Sequence, residues 1–172
     1  MPTREQWEKT AQQKNYAGYH ARVNLAKLDR GEKLPTTLPY LVQAWNFGDD
    51  LAMVFLPGEV VVDYSKRLKQ EFDSTRLWIN AYANDVPCYI PSERILKEGG
   101  YEGGGAMIYY DKPARLAPGI EKLIVNAVHE VVPKSFVFDE KQTDLSLHNR
   151  SIIFQRTDCT FRYSLWNWRP VR

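Results

Sequence analysis

Two apolar runs, YLVQAWNF at 40–47 and LAMVFL at 51–56, are separated only by Gly48-Asp49-Asp50. So short a gap, made of turn-forming residues, predicts an antiparallel hairpin. The next segment narrows the fold further. From Glu59 onward Val61, Tyr64, Leu68 and Phe72 recur at helical spacing, and RLWINAYA at 76–83 is rich in aromatic and apolar residues suited to a strand. A strand, a helix and a second strand make a βαβ unit, whose crossover is right-handed in nearly every case. The expectation is an α/β chain, with a small mixed sheet and flanking helices.

Around this centre the sequence punctuates itself. Thr3 and Gln6 form a capping box and Gly31 is suited to a helix end, so a long helix is predicted over 4–30. Trp7, Ala11, Ala21, Leu25 and Leu28 form its apolar stripe, interrupted by Lys14. LPTTLPY at 34–40 reads as an extended connector. A short helix is expected after Ser92, followed by glycines at 99, 100, 103, 104 and 105 around Tyr101 and Glu102. Such a run is either flexible filler or backbone brought close to something. APGIEKLIVNAVHEVVP at 117–133 predicts a helix with Ile120, Leu123, Ile124, Ala127, Val128 and Val131 on one face, stopped by Pro133. From Lys134 the character changes to short β-prone pieces such as SIIFQR. Residues 1–133 are therefore read as one portion and 134–172 as an appended tail.

Composition matters mainly for what it excludes. A net charge of +2 over 172 residues, with both signs interspersed, argues against a nucleic-acid binder. Cys88 and Cys159 are too far apart for a metal knuckle. The polar start MPTREQWEKTAQQK lacks a signal-peptide core, and no apolar run reaches membrane-spanning length. As written, the chain is expected to stay in the cytoplasm without a transmembrane segment.

Glu59 raises the functional question. A carboxylate opening a helix complements the dipole there. It also follows a strand, where α/β folds present functional side chains. Three stretches together carry a resemblance: PGE at 57–59, YANDVPCYIPSER at 82–94 and GGYEGG at 99–104. In this order and at compatible spacing they resemble the neutral/alkaline, non-lysosomal ceramidase family, closest to its bacterial ceramidase-like branch. The resemblance spans roughly residues 38–132, the last part of that family's catalytic domain.

The resemblance implies that Glu59 and Tyr89 are zinc ligands and that Tyr101 is the catalytic residue donating to the oxyanion of a scissile N-acylsphingosine-type amide. The family's other two zinc ligands are histidines from much earlier in its domain. His20, His129 and His148 lie in no matching motif, so the chain is expected to hold half of a zinc site and to be inactive alone. The competing reading is a truncated α/β fragment or interaction module without metal. Under the family reading the substrate is a ceramide-like lipid, and the first helix is a surface for self-association or for docking an upstream fragment. Complete family members are often exported. Outside the resemblance, His20 reads as a surface residue, His129 as structural near a helix end, Cys88 as a small buried hydrophobe, and Glu93 and Glu102 as loop-orienting.

Overall fold

The computed structural model describes residues 1–138. Most of the tail expected over 134–172, including SIIFQR, lies outside the described residues; its first β-prone piece, SFVF at 135–138, is described and enters through a 3-10 turn, Lys134–Phe136, instead of a strand.

The predicted long helix is two helices. Helix α1 (Arg4–Ala11) starts at the Thr3–Gln6 capping box, and α2 (Tyr16–Asp29) starts at Asn15, whose side chain accepts from the Gly18 amide at 3.0 Å. The polar run Gln12–Asn15 breaks the stripe where Lys14 had interrupted it, because Asn15 caps a new helix better than it continues an old one. The two helices fold back on each other, with Arg4 of α1 paired to Asp29 at the far end of α2. Trp7 and Ala21 are buried between them. His20 is no surface residue: it is 4% exposed, edge-on to Trp7 at 5.7 Å, with its Nε2 3.0 Å from the Asn24 side-chain amide.

The hairpin and the βαβ unit form as expected. Strands β1 (Gln43–Phe47) and β2 (Leu51–Phe55) pair antiparallel, with Trp45 opposite Met53. Beyond β2 lies the two-residue strand β3 (Glu59–Val60), followed by α3 (Val62–Glu71) and β4 (Leu77–Asn80), which pairs parallel with β2. The sheet order is therefore β1-β2-β4, mixed in sense. A second parallel ladder joins β3 to β5 (Tyr89–Ile90). The α/β class with a small mixed sheet and flanking helices is observed.

One face of the three-stranded sheet meets the helices. Ala52, Val54 and Leu77 point into the core with Tyr64, Leu68 and Phe72 of the α3 segment and with Ile124, Val125 and Val128 of α5 (Ile120–Val131). The other face aligns Trp45, Met53 and Trp78 across the strands, and its two indoles are 53% and 59% exposed. Along α5 the buried stripe is rotated from the predicted one: Val125 is 1% exposed and Leu123 is 47% exposed. Side chains from β1 and α3 set that rotation, and the spacing of α5 alone does not specify it.

An ionic seam fastens α3 to α5. Arg67 donates to Glu71 at 2.7 Å and to Glu121 at 2.8 Å, while His129 stacks on Phe72 at 4.4 Å and meets Glu71 at 2.6 Å. Past Pro133 the chain still contributes core: Phe136 is fully buried, under the Arg76 guanidinium, and Val137 bridges to Phe72.

Candidate functional site

The site starts from a kink at the end of β2. Leu56 N continues the ladder by donating to Asn80 O at 2.9 Å, and Glu59 N then donates to Cys88 O at 3.0 Å. Between them Gly58 has φ +82°, and a Cβ there would stand 2.6 Å from Cys88 O and 2.9 Å from Ile90 Cγ1. Glycine is thus the residue that lets β3 lie against β5. Glu59 is accordingly in a strand, and the helix expected to open on it begins at Val62 with Val61 as its cap residue.

In the β3–β5 ladder Glu59 is the direct register partner of Tyr89. Paired positions put their side chains on the same face of a sheet. Tyr101 joins them from the glycine-rich loop, its ring edge-on to Tyr89 at 5.5 Å and 72°. That loop is held by close backbone approach: a Cβ at Gly103 would meet Ile95 O at 2.5 Å and Gly99 O at 2.4 Å, at the end of α4 (Glu93–Glu98). The three residues singled out in the sequence therefore come together on one surface.

Two further tyrosines, not anticipated, complete the surroundings of the carboxylate. Tyr82 donates to Glu59 Oε2 at 2.9 Å, and Tyr110, closing the 3-10 turn Gly105–Tyr110, donates to Oε1. Tyr82 has φ +57° and Asn84 φ +63°, an uncommon backbone for residues other than glycine. Asn84-Asp85 is a turn signal in the sequence that marks this bend. Nothing in the sequence marks Tyr110.

The electrostatics follow from these contacts. The Tyr110, Tyr89 and Tyr82 hydroxyls hold the Glu59 carboxyl below its ordinary value. The carboxylate in turn pushes the Tyr89 phenol up to about 12 and raises Tyr110 and Tyr82. A cleft of about 350 Å³ opens beside the cluster, lined by Glu59, Val60, Tyr82, Tyr89, Ile95 and Glu102 among others.

Its far wall is built by α4. Ser92 caps that helix by accepting from Ile95 N at 3.3 Å, and its own hydroxyl donates to Asp63 at 2.6 Å. Arg94 reaches both Asp63, at 3.1 Å, and Glu98, at 2.8 Å. Glu93 turns away from the cleft and accepts from Gly119 N at the start of α5. Cys88 is fully buried beneath Tyr89, and burial pushes its thiol up to about 11, which makes it an inert core residue.

Zinc needs a fuller donor set than this surface supplies. A catalytic zinc takes about three protein ligands and keeps a position for water. Glu59 and Tyr89 offer two ligand side chains, and among the described residues no group of three His, Cys, Asp or Glu side chains is placed to hold a metal. His20 belongs to the helical hairpin, His129 to the α3–α5 seam, and His148 lies outside the described residues. The described residues alone do not make a zinc centre. Nor, among them, is any helix long and apolar enough to cross a membrane.

No protein-family model, no curated protein and no solved structure matches this chain.

Proposed function

We propose that residues 38–132 are the C-terminal part of a ceramidase-like, zinc-dependent amide hydrolase domain and contribute half of its site. The observation that carries this reading is the β3–β5 pairing, which makes Glu59 and Tyr89 register partners with Tyr101 against them. Residues from three separate sequence motifs have no reason of local structure to share one surface. In this reading Glu59 and Tyr89 are two of the metal ligands, and the remaining imidazoles come from outside the described residues. Tyr101, 57% exposed and edge-on to Tyr89, is the donor to an amide oxygen in this reading. The substrate class is an N-acylsphingosine-type amide.

A metal-free interaction module is the second reading. It is favoured by the phenols that already surround Glu59, since a ligand phenol must give up its proton to bind metal and Tyr89 holds its proton firmly.

Zinc titration of the full chain by calorimetry, in buffers of different ionisation enthalpy, tests the proposal. Weak binding is expected, with release of a proton from Tyr89 and with loss on Glu59→Gln or Tyr89→Phe. A short-chain fluorescent N-acylsphingosine should remain intact with the isolated chain. Zinc binding that survives both substitutions would overturn the ligand assignment, and hydrolysis by the isolated chain would overturn the half-site.

A further inference from the structure

The cleft beside Glu59 has a composition that suits one kind of ligand even when no metal is present. Its charge is carboxylate: Glu59 and Glu102 line it, and Arg94, the one cation in its wall among the described residues, is already engaged by Asp63 and Glu98. An anion entering here would meet like charge. A bare metal ion would lack a third ligand among the described residues.

The remaining walls are aromatic and aliphatic. Tyr82 and Tyr89 are the aromatic residues that line the cleft, and Tyr101 and Tyr110, outside that lining, pack edge-on to Tyr89 at 72° and 80°, which fixes the Tyr89 ring. Ring faces carry the negative part of the aromatic quadrupole. The Tyr82 hydroxyl donates to the Glu59 carboxylate, which makes its ring more electron-rich. Val60 and Ile95 supply an apolar floor that could take methyl groups.

We propose that this cleft binds a compact organic cation, a quaternary or alkylated ammonium group, with its charge against Glu59 and the tyrosine faces and its alkyl groups against Val60 and Ile95. Carboxylate and ring faces together recognise such a cation, whose charge is spread and weakly hydrated. The inference does not rest on the zinc reading: it concerns the metal-free chain, and zinc at Glu59 and Tyr89 would compete for the same carboxylate.

Choline chloride titrated into the full chain, followed by calorimetry and by tyrosine fluorescence, is the test. Saturable binding is expected, with the uncharged tert-butyl isostere of choline weaker by about tenfold or more, the range that cation–π and charge contacts supply. Glu59→Gln should weaken choline by a similar factor. Tyr82→Leu, at an exposed position of the cleft lining, keeps apolar bulk and removes the phenol ring; it should weaken choline too while circular dichroism shows an unchanged fold. Lys97→Ala, on the other side of α4, should leave binding as it is. Equal affinity for choline and its isostere, or choline binding unchanged in a folded Tyr82→Leu chain, would overturn the proposal. Added zinc should displace choline competitively if both readings hold. Choline binding without any zinc binding would keep this inference and sink the metal reading, and the reverse outcome would do the opposite.

Discussion

Glu59 and Tyr89 sit opposite each other on β3 and β5, strands of two residues each, and the contact depends on the neighbour of one of them, Gly58. The close approach of Gly58 to Cys88 O leaves no room for a methyl group. Gly58→Ala should therefore part the two strands as well as strain the backbone at positive φ. The expected loss is about 1–3 kcal/mol or more of stability. In the same variant the Tyr89 phenol should return toward its ordinary titration range, read by ultraviolet absorbance. Gly31→Ala, where nothing lies within 4 Å, is the control that carries backbone strain alone.

The phenol–carboxylate cluster makes stability pH-dependent on both sides. Tyr89 is raised from 10.0 to about 12 in the folded chain, so its contribution is complete below about pH 10 and fades as pH rises toward about 12. Glu59 is shifted the other way, so its contribution is present above its ordinary value of 4.5 and fades as pH falls through the lowered one. Urea denaturation across pH should show a shallower alkaline decline in Tyr89→Phe. The decline should not vanish, because Tyr110 and Tyr82 shift in the same direction.

His20 gives the helical hairpin its own acid sensitivity. Burial lowers its pKa, partly offset by Asp111 at 3.4 Å, with Lys27 opposing through its own bond to Asp111 at 2.8 Å. An unfolded histidine binds its proton near pH 6.5, whereas the buried one resists it, so stability should fall as pH drops below about 6.5. The emission of Trp7, isolated as the difference from Trp7→Phe, should shift red on acidification. His20→Gln should remove that shift.

Core and surface should respond very differently to truncation. Leu68→Ala, at a fully buried position of α3, should cost about 2–5 kcal/mol, and Phe136→Ala about 3–5 kcal/mol. Trp78→Thr, on the exposed face of the neighbouring strand, should change thermal stability by about 0.5 kcal/mol or less. A chain ending after Phe138 keeps every described core residue and is expected to unfold cooperatively, whereas one ending at Pro133 should not.

What was legible in the sequence was what short-range spacing dictates. Gly48-Asp49-Asp50 marked the hairpin, the spacing of Tyr64, Leu68 and Phe72 marked the buried face of α3, and Ser92 marked the start of α4. Glu59 was read as a helix opener because a two-residue strand is too short to show alternation, and its partner lies beyond an intervening helix and strand. The helix break at Asn15 was legible only as the interruption at Lys14; the cap itself was missed because an Asn inside a polar helix face looks ordinary. Tyr82 and Tyr110 were missed for a different reason. They are brought to Glu59 by a left-handed bend and a 3-10 turn, which tertiary contacts decide and local spacing does not.

The α1–α2 hairpin touches the rest of the domain mainly through the 3-10 turn that bears Tyr109, Tyr110 and, at its end, Asp111. It buries few large side chains, so its amide protons should exchange with solvent as one fast block, well ahead of those in α3 and α5. Tyr110 belongs to the turn on which that block rests and donates to Glu59. Opening of the hairpin should therefore loosen one of the hydroxyls around the carboxylate, tying the lifetime of the site to that of the closed hairpin.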